Sequence, residues 1–160
     1  MKMLLFLAAV LVLGGVAWYL TSTAEYPNVE SNQVVIDRSK DAHSGTIEFY
    51  DGISASINVE EIDLSGRNLT GSLKAEIRSL SKLEVLNLSD NSFTGLPAEV
   101  GQLQNLVELN LSNNSLTGLP HEIGNLQNLR LLDLTGNSYS NSDLEIIKSS
   151  LPSETVIKVQ

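Results

Sequence analysis

The spacing of apolar residues along this chain changes three times, and each spacing predicts a different element. From Met3 to Leu20 the run MLLFLAAVLVLGGVAWYL is apolar throughout, with no charge between Lys2 and Glu25. Its length reaches the lower end of what a bilayer-spanning helix needs, about 17–25 residues. Thr21 to about Gly45 shows no period and is rich in Ser and Asn. It reads as a linker, which as a flexible coil would span on the order of 25 Å. From Thr46 the pattern alternates. Ile47, Phe49, then Ile53, Ala55 and Ile57 flank an Asp51-Gly52 turn signal, so residues 46–58 are expected to form a strand-rich N-terminal cap.

A repeat governs the remainder. Leu83-Glu84-Val85-Leu86-Asn87-Leu88-Ser89-Asp90-Asn91 is echoed by Leu106 to Asn114 and again by Leu129 to Asn137. Asn91, Asn114 and Asn137 stand 23 residues apart, as do Leu88, Leu111 and Leu134. An earlier copy runs Val59, Ile62, Leu64, Leu69, with Arg67 in the asparagine position and one extra residue before the next copy. Such self-similarity predicts a solenoid of about four coils over residues 59–151, an α/β architecture in which neighbours bury one another.

The spacing has a physical reading. In Leu86-x-Leu88 alternate residues point to opposite faces of a strand, so the leucines go inward and the intervening residues face out. The chain then turns away from the strand, and a buried asparagine can satisfy the backbone there with both a donor and an acceptor. Asn91, Asn114 and Asn137 are therefore assigned to a structural ladder. Arg67 is unsuited to that work and puts the first coil's ladder in doubt. Phe93, Leu116 and Tyr139 are expected to re-enter the core. The stretches Leu96 to Leu103 and Leu119 to Leu126 predict short helical turns, with Pro97 and Pro120 in their first turn. In the fourth coil Ser142-Asp143-Leu144-Glu145 fits a capping box, Leu144, Ile147 and Leu151 share one helix face, and Pro152 ends the helix. Residues 152–160 are expected to supply a closing strand.

This pattern resembles the leucine-rich repeat family in its typical 23-residue form, over roughly residues 59–151. The resemblance implies a short horseshoe with a parallel sheet on the concave side, and a protein-interaction scaffold that holds ligands there. Short membrane-anchored bacterial members are similar over the whole chain, including an N-terminal apolar helix. Eukaryotic extracellular members usually carry cysteine-rich caps, and this chain has no cysteine.

Composition narrows the function. A formal net charge of −9 opposes nucleic-acid binding, which needs a basic face to displace phosphate counterions. The absence of cysteine removes disulfides, zinc–thiolate sites and thiol nucleophiles. Of the two histidines, His121 follows Pro120 on a predicted outer turn. His43 sits beside Asp41 and Ser44 in the linker, where no rigid triad can be assembled. No phosphate-binding or metalloprotease motif occurs. No catalytic residue, metal ligand or cofactor is assigned, and the chain is not expected to be an enzyme. Asn-x-Ser/Thr sequons such as 68–70, 87–89, 110–112 and 113–115 follow from the repeat's own needs.

The strand period also places a docking surface. It presents Glu61 and Asp63, then Val85 and Asn87, Glu108 and Asn110, and Leu131 and Asp133, followed outward by Ser65, Ser89, Ser112 and Thr135. This face suits a protein segment with basic and hydrogen-bonding groups. Sugar binding, the alternative, would want aromatic platforms that the face lacks. Lys2 on one side of the apolar run places the N-terminus in the cytoplasm and the repeats outside, in a bacterial cell envelope. A retained anchor is favoured over a cleaved signal because the run exceeds the usual 7–15-residue signal core. Cleavage near Ser22-Thr23-Ala24, giving a secreted binder, is the alternative.

Overall fold

The computed structural model describes residues 45–159. The expected membrane helix, the linker and His43 lie outside the described residues. Among the described residues, no helix is long and apolar enough to cross a membrane.

A hairpin opens this part of the chain. Strands β1 (Thr46–Tyr50) and β2 (Ile53–Ser56) pair antiparallel across Asp51-Gly52. Gly52 takes φ +71°, a left-handed conformation in which glycine carries no steric cost. Phe49 and Ala55 are fully buried and cover the start of the array. Bonds to the first coil tie the hairpin down: the Lys74 N–H donates to the Phe49 carbonyl (2.8 Å), the Tyr50 hydroxyl donates to the Thr70 carbonyl (2.7 Å) and accepts from the Thr70 N–H (2.9 Å), and the Lys74 ammonium pairs with Glu48.

The coils follow as β3 (Glu61–Asp63), β4 (Thr70–Gly71), β5 (Val85–Asn87), β6 (Ser92–Phe93), β7 (Glu108–Asn110), β8 (Leu131–Asp133) and β9 (Val156–Lys158). Five of them make one parallel sheet in the order β3-β5-β7-β8-β9, and β4 pairs with β6 where the chain leaves that sheet. The register is level. Ile62, Leu86, Leu109, Leu132 and Ile157 lie side by side, and the first four are fully buried. An inward leucine at each level makes the core a stack of layers, each covered only by its neighbours.

The returning halves are three 3₁₀ helices, Ala75–Ser79, Ala98–Gln102 and His121–Asn125, followed by one α-helix, α1 (Asn141–Ser150). They bury Ile77, Val100, Ile123 and Ile147 against the leucines. Pro97 and Pro120 stand one residue before their helices, in extended conformation, and not within the first turn as the sequence suggested. Proline fits there because its fixed φ suits the extended entry. The α1 cap also differs from expectation. Ser140, not Ser142, is the N-cap, and its hydroxyl accepts the Ser142 N–H at 3.2 Å. Asp143 reaches across to the third coil instead, accepting from the Leu119 N–H (3.3 Å) and facing His121 Nε2 (3.4 Å).

Two glycines set the distance between coils. A Cβ on Gly101 would lie 2.1 Å from the Glu122 carbonyl oxygen, and one on Gly124 would lie 2.7 Å from Ser150 Cβ. The returning helices therefore stack closer than any side chain at these positions allows. The equivalent position in the first coil holds Arg78, which reaches Glu99 of the second coil at 3.8 Å.

Candidate functional site

The second, third and fourth coils each turn out of their strands through an asparagine, and the geometry shows whom that asparagine serves. Asn91 Nδ2 donates to the carbonyls of Leu88 and Ser89 in its own coil (both 3.0 Å) and to Leu64 in the coil before (2.8 Å). Its Oδ1 accepts from the Arg67 and Leu69 N–H groups, again in the preceding coil. Asn114 repeats the pattern toward Leu88 and Phe93, and Asn137 toward Leu111 and Leu116. One asparagine thus joins two coils. The doubt raised by Arg67 disappears, because the first coil's backbone is satisfied by Asn91 from the second.

The residue just before each ladder position takes a left-handed conformation: Gly66 (φ +65°), Asp90 (+56°), Asn113 (+53°) and Gly136 (+69°). Only Gly, Asn and Asp adopt this readily, so the pattern x-Asn with x drawn from those three is a backbone requirement. The Asn113 side chain donates to Asp90 Oδ1 at 2.9 Å, linking two neighbours in this column.

On the outward side of the sheet, three columns run across the coils. The first is Glu61, Val85, Glu108, Leu131 and Val156, and the second is Asp63, Asn87, Asn110, Asp133 and Lys158. The second column has a structural duty. Oδ1 of Asp63, Asn87, Asn110 and Asp133 each accepts the N–H two residues on, from Ser65, Ser89, Ser112 and Thr135, at 2.8–3.1 Å. These side chains shape the turn as well as face solvent. Asn87 and Asn110 stay half-exposed, with their amide nitrogens available.

Two expectations change here. Asp133 is buried, with Oδ1 taken by Thr135 and Oδ2 by Lys158 Nζ at 3.3 Å, so it presents little to a partner. Burial pushes its carboxyl up, but the Thr135 hydroxyl and N–H and the Lys158 ammonium together hold it below the usual carboxylate range. Ser89 and Ser112 are also buried, which removes two residues of the third column. In exchange, β9 adds Val156 and Lys158 to the face. Sequence reasoning placed a closing strand there but missed its register. Aligning Thr155-Val156-Ile157-Lys158 with Arg130-Leu131-Leu132-Asp133 would have found it. Tyr139 is only half-buried, unlike Phe93 and Leu116.

The face is charged unevenly. The first and third coils contribute Glu61, Asp63 and Glu108, while Lys158 lies at the far end. Among the described residues, no cluster of His, Cys, Asp or Glu could hold a metal ion.

Residues 81–138 match the leucine-rich repeat family model. This part of the chain is a set of leucine-rich repeats. Among solved structures, a leucine-rich-repeat protein of Leptospira interrogans is 44% identical with a TM-score of 0.58, over 62% of this chain and 25% of its own. The plant peptide hormone receptor RGFR1, in complex with RGF2, is 33% identical with a TM-score of 0.50, over 63% of this chain and 17% of its own. The ectodomain of the Arabidopsis thaliana receptor kinase SOBIR1 is 29% identical with a TM-score of 0.49, over 63% of this chain and 59% of its own. The leucine-rich repeats described here thus span a minor part of the Leptospira protein and of RGFR1. No curated protein matches the chain.

Proposed function

We propose that this leucine-rich-repeat protein is a binding module that docks a segment of another protein on its five-stranded sheet face, without chemistry of its own. The observation that carries this reading is the outward face itself. Level strands display Glu61, Asp63 and Glu108 beside half-exposed Asn87 and Asn110, with Val85 and Leu131 as apolar contacts. The turn bonds fix the second column before any partner arrives, so little ordering cost falls on binding. The partner is a polypeptide with basic groups over the first three coils. RGFR1, similar over part of its length, was solved with RGF2 bound, which favours a polypeptide ligand.

A lysine-rich peptide tests this with the full chain. Binding should weaken as ionic strength rises. It should fall about tenfold in Glu61→Lys/Glu108→Lys, as charge complementarity requires. Glu122→Lys, on the returning side, should leave it unchanged. Equal loss in both variants would discard the sheet face as the site.

The proposed setting is a membrane tether through residues 3–20, with Lys2 in the cytoplasm and the repeats outside. A C-terminally tagged full chain in a bacterial host should then fractionate with membranes, keep Met1, and expose its tag to protease in spheroplasts. A soluble exported product beginning near Glu25 would replace the tether with release.

A further inference from the structure

The second column of the sheet face uses two kinds of side chain for one structural duty. Oδ1 of Asp63, Asn87, Asn110 and Asp133 each accepts the N–H two residues on. A carboxylate does this in the first and fourth coils as well as a carboxamide does in the second and third. The turn therefore needs the oxygen and makes no use of the amide nitrogen. The two carboxamides stand next to each other, Asn87 on β5 opposite Asn110 on β7.

The turn bond also fixes how each amide points. Turned over, it would set its NH2 against the Ser89 or Ser112 N–H, donor against donor. Oδ1 therefore faces the turn and Nδ2 faces out. In the third coil the Ser112 hydroxyl adds a second bond to Asn110 Oδ1, at 2.8 Å. Both side chains are half-exposed, and neither Nδ2 has a hydrogen-bond partner among the described residues. The ladder asparagines differ here: Nδ2 of Asn114 donates to the carbonyls of Leu88, Leu111 and Ser112.

Amides held alike on adjacent strands have nitrogens about one strand spacing apart, about 4.8 Å. Two donors at that separation, each about 2.9 Å from a shared oxygen, meet there at about 110°. This is close to the angle between the two lone pairs of a carbonyl oxygen, which can accept two bonds. The carboxylates of Asp63 and Glu108 lie beside the pair, in the same column and in the first. They repel a carboxylate or phosphate and leave a neutral acceptor.

We infer that Asn87 and Asn110 form a clamp on one main-chain carbonyl oxygen of the docked polypeptide. The clamp rests on the sheet-face reading and adds a contact of another kind to it. Glu61 and Glu108 select basic side chains, and the clamp fixes where the segment's backbone crosses the second and third coils. A main-chain carbonyl is common to all residues, so the amides set position and the carboxylates set preference.

The test uses the isotopically labelled full chain and the peptide acetyl-Lys-Gly-Lys-Gly-Lys-amide at low ionic strength. On titration the side-chain NH2 resonances of Asn87 and Asn110 should shift together along one binding curve. That of Asn105, which donates to the Ser81 carbonyl before β7, should stay still. Asn87→Asp/Asn110→Asp keeps the turn oxygens, as Asp63 and Asp133 do, and removes both donors. A face that binds by charge alone would hold the basic peptide more tightly in this variant. The clamp requires the opposite sign, binding about tenfold weaker, because two hydrogen bonds are lost. Tighter or unchanged binding, or movement of only one of the two resonances, would overturn the clamp and leave the charged face standing. No binding to the native chain, or no loss in Glu61→Lys/Glu108→Lys, would remove the face and the clamp with it. Paired shifts with chitotriose and none with the peptide would give the clamp to a sugar acetamide instead.

Discussion

Asn110 and Asn114 stand four residues apart in one coil and do different work. Asn114 is buried and bonds to two coils at once. Asn110 is half-exposed and bonds only to Ser112, two residues on, through its N–H and hydroxyl. The same contrast separates Asn87 from Asn91. The side chain is identical, so the difference lies in what surrounds it. Inside the coil, water cannot replace a lost partner, and several backbone groups depend on one amide. On the face, solvent substitutes freely. An asparagine in the inner column is thus part of the junction between coils, and one in the outer column can serve a ligand without endangering the fold.

The contrast can be broken or sharpened by mutation, measured as chemical denaturation of the full chain. Asn114→Leu should have the largest effect, about 4 kcal/mol. It strands the Phe93 N–H, at about 1–3 kcal/mol, and takes one of two donors from each of the Leu88 and Leu111 carbonyls, which keep Asn91 and Asn137, at about 1 kcal/mol apiece. Leu111→Ala, at a site 1% exposed, should cost about 3 kcal/mol by leaving a cavity between coils. Gly101→Ala should cost about 2 kcal/mol, because its Cβ must push the Glu122 carbonyl away. Asn110→Ala should cost no more than about 1 kcal/mol, the worth of its local turn bonds. If Asn110→Ala and Asn114→Leu were equally mild, the two columns would not differ in the way described.

The smallest effect belongs to the end of the outer column. Lys158→Met should change stability near neutral pH by less than about 0.5 kcal/mol, since the lysine is half-exposed. Its signature is in acid. Asp133 has a folded-state pKa below its unfolded value, so its contribution is present above the unfolded carboxylate range, near 3.9, and is lost as pH falls through the folded value. Removing Lys158 takes away one of the groups holding that pKa down. The acid-side loss of stability attributable to Asp133 should shrink in the variant. An unchanged acid profile would mean that the Thr135 bonds alone set it.

Much of this architecture was legible because the leucine-rich repeat writes the same instruction several times. Leu86, Leu109 and Leu132 announce one inward column by recurrence alone, and Asn91, Asn114 and Asn137 announce another. Non-repeated features were harder. The cap of α1 was misplaced by two residues because Ser140 and Ser142 both precede acidic residues by three. Which one ends the preceding turn depends on how Tyr139 leaves the core. The burial of Asp133 was invisible because its screening neighbour, Lys158, lies 25 residues away on a strand that occurs once. The service of Asn91 to the first coil was equally hidden, since sequence period says that a coil has an asparagine but not toward which neighbour it points.

What the sequence determined alone was the period, the alternation within each strand and the residues able to occupy left-handed or buried polar positions. These are local demands, set by backbone geometry and by the cost of burying an unpaired amide. What only the tertiary structure decided was direction and exposure. Stacking chose that each asparagine reaches back to the earlier coil. It brought Lys158 against Asp133. Those outcomes depend on which coil lies above and which below, and no residue carries that information by itself.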